Sequence, residues 1–291
     1  MMARVILSIP SPDISSFSLG PLTIHIYAFC LIAGMGVAWW LGSRRWVARG
    51  GQPEHFETIV LWAIPVGIVF ARIYHVLTHW DDYFGAGGMN PFAIWEGGIA
   101  IFGSLLGGTL AAWLVCRHYG LRLATFADAL APGLIFAQGV GRLGNWFNQE
   151  LFGGPDFGPL GLEIDPAHRP AEYADVPTFQ PTFLYEMAWN ITGGLLLLWL
   201  DRKLKLGYGK VFALYMLIYG TGRFVIEGIR TDFSYMVGPL RTNQVTALLV
   251  ALAGAALFAW LWRVRPGREA SPSVAASVED TETSEEAAPQ E

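Results

Sequence analysis

Apolar residues recur along this chain in seven long runs, at about 22–42, 57–79, 97–116, 123–140, 181–200, 210–228 and 243–263. Shorter polar stretches separate them. As helices, these runs are long enough, or nearly so, to cross a hydrocarbon layer of ~30 Å at a rise of ~1.5 Å per residue. The pattern therefore predicts an all-α polytopic membrane protein with about seven transmembrane helices. The fourth run is the weakest, since Pro132, several glycines and Asp128 interrupt it. Tryptophans cluster near the run ends, among them Trp39, Trp40, Trp46, Trp80, Trp95, Trp146 and Trp262, where an amphipathic ring anchors a helix at the lipid–water boundary.

Basic residues set the expected orientation. Twelve of the 19 lysines and arginines fall in the first, third and fifth loops and just after the last run, from Arg44 and Arg45 through Arg202 and Lys203 to Arg268. Five fall on the other side, and Arg72 and Arg223 lie inside runs. That alternation predicts an odd number of spans, with the N-terminus outside and the C-terminus in the cytoplasm. The first residues are not expected to form a cleavable signal peptide: Arg4 is alone, and Pro10 and Pro12 break the apolar stretch. Residues 11–21 are expected to lie along the outer surface.

Composition sharpens the division of the chain. Apolar residues make up 53% and charged residues only 15%, with mean hydropathy +0.39, outside the soluble range. The formal charge of −5 misleads, because the last 23 residues hold seven acidic and no basic residues. Residues 1–268 carry 19 basic against 17 acidic residues, so the body is mildly basic. The expected organisation is a transmembrane domain over 1–268, including an outer loop at 154–180, followed by an acidic, disordered cytoplasmic tail at 269–291. Residues 155–179 are read either as a small outer domain or as a mobile loop. Cys30 and Cys116 sit at different expected depths, and no CxxC or histidine-rich cluster suggests a metal.

Polar residues inside apolar runs carry the chemistry, because a charge at membrane depth needs a partner, a ligand or a reaction to hold it. Ten residues, GRLGNWFNQE from Gly141 to Glu150, place an arginine, two asparagines and a glutamate where the fourth run meets a polar loop. In a helix, Arg142, Asn145 and Asn148 project together. Glu150 either braces the loop or takes part in chemistry. In the sixth run, Tyr215, Tyr219, Arg223 and Glu227 recur every four residues, and Arg230 continues the stripe. This face is read either as a structural Arg223–Glu227 pair or as an anion-binding wall. Arg223 and Arg230 together exceed what one glutamate neutralises, which favours an anionic ligand.

Smaller signals accompany these two. The stretch WEGGIAIFGSLLGG from Trp95 permits close backbone approach or helix packing. QPTFLYE brings Tyr185 and Glu186 to the start of the fifth run, while His25 and Tyr27 start the first. Arg72 is followed by Tyr74 and His75, with His25 and His75 read as interface residues and Asp128 as a helix-contact group. Most of these groups belong to the outer half, which suits a pocket open to lipid headgroups rather than an aqueous channel.

These segments, GRLGNWFNQELFGG, QPTFLYE, YGTGRFVIEGIRTD and WEGGIAIFGSLLGG, resemble the signature segments of bacterial prolipoprotein diacylglyceryl transferases, in matching order over roughly residues 15–265. The resemblance implies a seven-span enzyme of the bacterial inner membrane, with its active site toward the outer side. Such an enzyme moves the sn-1,2-diacylglyceryl group of phosphatidylglycerol to the lipobox cysteine of a prolipoprotein and releases glycerol 1-phosphate. It implies Arg142, Glu150, Arg223 and Glu227 as catalytic residues. Tyr27, Asn145, Gly153, Tyr219, Arg230, Gly97 and Gly98 would bind substrate. No metal, cofactor or nucleic acid is implied, membrane lipid is the surrounding partner, and a monomer is expected. A non-enzymatic or transport protein that binds anionic headgroups is the rival reading.

One departure stands out. Many members of the family carry His or Tyr where this chain has Phe102, and phenylalanine neither takes a proton nor donates a hydrogen bond. Either a base at that position is dispensable, or Glu150, Tyr27 or another group replaces it, or this copy is impaired.

Overall fold

The computed structural model describes residues 8–20, 22–85 and 88–274. Seven long helices follow the seven apolar runs. They are α1 (Ile26–Val47), α2 (Pro53–Thr78), α4 (Ile101–His118), α5 (Leu123–Phe147), α6 (Thr182–Leu204), α7 (Lys210–Glu227) and α8 (Thr242–Val264), with a five-residue α3 (Trp80–Phe84) after α2. Five of them, α1, α2, α5, α6 and α8, are long and apolar enough to cross a membrane. The two that fall short, α4 and α7, have 18 residues each. The charges Lys210, Arg223 and Glu227 all lie on α7. Large apolar side chains on α2, such as Leu61, Trp62 and Leu77, remain more than half exposed, as expected of a helix that faces lipid. The chain is an all-α, multi-span membrane protein.

Among the described residues, strands occur only as short antiparallel ribbons: β1 (Ser16–Leu19) with β2 (Leu22–His25), β3 (Leu162–Glu163) with β4 (Thr178–Phe179), and β5 (Met236–Val237) with β6 (Leu240–Arg241). The first apolar run thus begins as strand and turns helical only at Ile26. The fourth departs more. It continues to Phe147 as one helix with Pro132 inside, so Arg142 and Asn145 sit on its last turns.

Contacts divide the described residues into two compact units, one drawn from 1–42 and 127–268, the other from 43–126 and 269–291. In the first, small residues let helices approach closely. A Cβ on Gly34 would fall 2.9 Å from the Ala137 carbonyl oxygen, and one on Gly254 2.7 Å from that of Ala213, so α1 packs on α5 and α8 on α7. Ala131, Ile135, Leu197, Leu206, Val211 and Leu214 form a buried core shared by α5, α6 and α7. Asp128 accepts hydrogen bonds from the Gly209 and Phe212 backbone N–H groups, both 2.9 Å, and so satisfies orphan donors at the start of α7. This matches its reading as a helix-contact group. The buried Lys210 ammonium donates to the carbonyls of Arg265 and Gly267, holding the chain just beyond α8.

Residues 148–181 fold as an ordered segment. Phe152, Leu162, Ile164, Phe179 and Phe183 form its own apolar cluster, with Trp146 stacked on Phe183 at 5.6 Å.

In the second unit, α4 lies against α2 through Gly103 and Gly107, spaced four apart. Ser273 bridges Leu121, Arg122 N–H bonds the Pro272 carbonyl, and buried Glu269 faces Arg49 at 3.8 Å. Ordered contacts therefore run past the expected tail start at 269 as far as Val274. The rest of that tail, 275–291, lies outside the described residues.

Candidate functional site

Four helix ends of the first unit bring the two polar runs together. On the last turns of α5, Arg142 Nη1 donates to Asn145 Oδ1 at 3.0 Å, and Asn145 Nδ2 donates to Glu150 Oε1 at 2.8 Å. Asn148 lies beyond the helix, in the turn, and its amide reaches the same Glu150 oxygen at 3.1 Å. Glu150 itself is exposed. At the start of α6, the buried Glu186 carboxylate stands between two arginines: Oε2 is 3.0 Å from Arg142 Nε, and Oε1 accepts from Arg223 Nη1 at 3.1 Å.

The α7 stripe continues this chain of contacts. Glu227 is fully buried. Its Oε2 lies 2.7 Å from Arg223 Nη2 and 3.5 Å from Arg230 Nη1, as charge contacts without hydrogen-bond alignment. Its Oε1 accepts from Arg241 Nε and Asn243 Nδ2, both at 3.1 Å. Arg230 Nε donates to Asp232 Oδ1 at 2.7 Å. Arg241 also binds the Arg230 and Asp232 carbonyls, closing the turn between α7 and α8.

This network revises the charge reading. Arg223 and Arg230 are not in excess, because Glu150, Glu186, Glu227 and Asp232 stand against Arg142, Arg223, Arg230 and Arg241 in a formally neutral set. The acids that complete it come from α6 and the α7–α8 turn, remote in sequence from the arginines they meet. Affinity for an anion must then come from unused donors. Arg142 Nη2 and Arg223 Nε have no partner among the described residues, and these two side chains keep 20% and 17% exposure.

Neighbouring expected residues have local reasons for their identity. Gly144 takes the Tyr27 ring against its backbone, where any Cβ would overlap it, so Tyr27 stands one residue from Asn145. Gly153 is a joint: its N–H bonds the Gln180 carbonyl, it bridges Arg230, and a Cβ there would lie 2.8 Å from Gln180 Cβ. It ties the Glu150 loop to the end of α7. Tyr219 stacks on Tyr215 at 5.9 Å, one turn before Arg223.

A separate cleft of about 400 Å³ in the 148–181 segment is lined by Ser8, Glu163, Asp165, Arg169 and Thr178 among others. No arginine or carboxylate of the network described above lines it.

Gly97 and Gly98 belong to the second unit, at φ values of 91° and 74° that a side chain rarely adopts. Arg72 explains the turn. Buried in α2, it donates to the carbonyls of Asn90, Pro91, Gly97 and Gly98 at 2.6–3.0 Å, with its guanidinium 4.9 Å from the Tyr83 ring centroid. Phe102 stands on the first turn of α4, half exposed, 6.2 Å from the Tyr74 ring.

In the sequence pattern Glu186 stands out only by position, and Asp232, Arg241 and Asn243 belong to no recognisable stripe. A signal existed for Arg241, a basic residue at the boundary of the seventh run on the same expected side as Arg230. For Glu186 the signal was its place at the start of the fifth run, where a lone acid needs a cation.

Known proteins match most of the chain. The family model for prolipoprotein diacylglyceryl transferase matches residues 15–260. The chain is 54% identical over 246 residues to a phosphatidylglycerol–prolipoprotein diacylglyceryl transferase of Cutibacterium acnes, covering 84% of this chain and 83% of that protein. It is 47% identical over 263 residues to a protein of that name, numbered 2, from Streptomyces coelicolor, covering 90% and 83%. A further relative, from Paenarthrobacter aurescens, is 45% identical over 286 residues, covering 94% and 90%.

Proposed function

The chain belongs to the prolipoprotein diacylglyceryl transferase family, and on that premise we propose that it transfers the sn-1,2-diacylglyceryl group of phosphatidylglycerol to the lipobox cysteine thiol of prolipoproteins. It acts as a multi-pass protein of the bacterial inner membrane. α4 and α7 complete a set of seven spans, with the N-terminus and the Arg142–Glu227 network on the outer side. Reporter fusions within residues 48–52 and 156–176 test this orientation, and a cytoplasmic signal from the second would overturn it.

The observation that carries the reading is the pair of arginines held from behind by one carboxylate. Glu186 fixes Arg142 and Arg223 relative to each other and leaves donors on both unused. A phosphate diester meets those donors, the guanidinium fork matching its oxygens. In the reaction, the cysteine sulfur attacks a glycerol carbon, the bond from that carbon to the phosphate oxygen breaks, and glycerol 1-phosphate leaves. Charge gathers on the departing phosphate as the bond lengthens, so fixed arginines lower the barrier more than they tighten ground-state binding. Asn145, held by Arg142 and Glu150, and the Tyr27 ring beside it orient the headgroup.

The two glutamates divide their roles by environment. Each oxygen of Glu227 is engaged by arginine or asparagine in a fully buried position, so it positions Arg223 and Arg230. Glu150 is exposed and uses one oxygen for two asparagines. Its other oxygen takes the thiol proton.

Purified protein, phosphatidylglycerol and a lipobox peptide test the activity. A thioether-linked diacylglyceryl peptide, detected by mass spectrometry, is the expected product, and its absence beside an active control refutes the reading. Arg142→Ala and Arg223→Ala are each expected to lower transfer roughly 10²–10³-fold, the scale seen when one transition-state donor is removed. Full activity in the double variant would refute their roles.

A further inference from the structure

Below the arginine layer the same three helices carry a second polar layer. On α5, Gln138 precedes Arg142 by four residues; on α6, Asn190 follows Glu186 by four; on α7, Tyr219 precedes Arg223 by four. Because α6 runs opposite to the other two, all three steps lead the same way, one turn or ~6 Å along the helices and away from the Glu227 end. The helices touch at this level. A Cβ on Gly139 would fall 3.4 Å from Asn190 Cβ, Trp189 Nε1 donates to the Ile218 carbonyl at 2.9 Å, and Gln138 Nε2 donates to Tyr215 Oη at 2.8 Å.

Asn190 is the most buried group of this layer with an unmet donor. It is 2% exposed, yet its amide nitrogen has no hydrogen-bond partner among the described residues. Buried amide donors are otherwise paired, since leaving one unmade forfeits its hydration without return. Gln138 Oε1 is likewise buried and unpaired. Turning that amide over would let the Tyr215 hydroxyl donate to Oε1 and would free a second N–H, since amide O and N are assigned from the bonding network.

We propose that Asn190, with Gln138 on the facing helix, binds the acyl ester carbonyls of the donor lipid. The assignment rests on the reading of Arg142 and Arg223 as the phosphate site. Past its phosphate, a diacyl glycerophospholipid has no hydrogen-bond donor, and its ester oxygens are the acceptors that remain. The glycerol backbone separates phosphate from ester by about the one helical turn that separates the two polar layers. A free amide donor one turn below the arginines therefore meets the next polar group of the lipid. This makes the site selective for ester-linked over ether-linked lipid, a distinction that phosphate recognition alone does not provide.

Matched phosphatidylglycerols with ester-linked and ether-linked chains test this, presented in micelles of an ester-free detergent. For the unmodified protein the ester lipid is expected to show a KM roughly tenfold lower, the scale of one neutral hydrogen bond. Asn190→Leu is expected to raise the ester KM by that factor and leave the ether KM unchanged, so the preference disappears. Asn190→Ala serves the same comparison if the leucine variant does not accumulate. Equal KM values for the two lipids in the unmodified protein overturn the assignment. So does a variant that raises both KM values alike, the result expected of an ordered water or of packing alone. Native mass spectrometry of each lipid bound to protein reads the same ester preference without turnover. Loss of transfer from both lipids, with the binding preference intact, would count against the transferase reading and not against Asn190.

Discussion

Glu227→Gln isolates the contribution of the most buried charge in the network. Its carboxylate lies within 3.5 Å of nitrogens from Arg223, Arg230 and Arg241 and accepts a hydrogen bond from Asn243, with no solvent exposure. One charge pair at ~4 Å is worth about 4 kcal/mol at an effective dielectric of ~20. Desolvation and repulsion among the three guanidiniums offset part of the sum over three pairs. Removing one partner from a buried ion pair costs about 3–5 kcal/mol, because the charge left behind cannot regain water. Glutamine keeps one acceptor for Arg241 and Asn243, so a loss near the lower end, ~3 kcal/mol, is expected. Unfolding by SDS in mixed micelles measures it, followed by helical circular dichroism. Glu186→Gln is the control: its partners Arg142 and Arg223 are partly exposed, so solvent takes over some of the lost compensation and the destabilisation is smaller. If Glu227→Gln unfolds within ~1 kcal/mol of the unmodified protein, or Glu186→Gln costs more, the picture of Glu227 as the buried hub is wrong.

Four further substitutions test separate parts of the molecule. Asp128→Ala removes both bonds to the start of α7 and is expected to cost about 1–2 kcal/mol, the scale of a lost N-terminal cap, in the same unfolding assay, with transfer kinetics retained. Gly107→Val places a Cβ 2.5 Å from Phe70 Cβ and 2.8 Å from the Val66 carbonyl oxygen; overpacking of about 1–3 kcal/mol should appear as a lower melting temperature. Phe102→His is expected to leave turnover and its pH profile unchanged, since the side chain is half exposed and packs only loosely on Tyr74, whereas Glu150→Gln should abolish turnover with the fold intact. A large gain from Phe102→His would mark the phenylalanine as a defect.

The positions of the seven helices were legible because each depends on a local quantity, the length of an uninterrupted apolar run. Their ends were less so. Residues 22–25 open the first apolar run but pair with Ser16–Leu19 instead, and Pro132, which interrupts the fourth run, lies inside a helix that continues to Phe147. The stripe on α7 was equally readable, since residues four apart share a face whatever surrounds them. The charge balance was not readable, because ion pairing has no sequence period. Glu186 is 44 residues from Arg142 and 37 from Arg223, yet touches both.

By itself, then, the sequence determined that this chain is a polytopic helical membrane protein. It also determined which short segments carry the chemistry, since burying charge in lipid is costly enough to single them out. The tertiary structure decided how those segments are wired. It turned an excess of arginine into a neutral network with two partly exposed donor edges, and it separated a buried positioning glutamate from an exposed one. It also left Asn190 with an unmet donor one turn below. The network depends on distances of about 3 Å between residues on different helices, and only packing brings such atoms together.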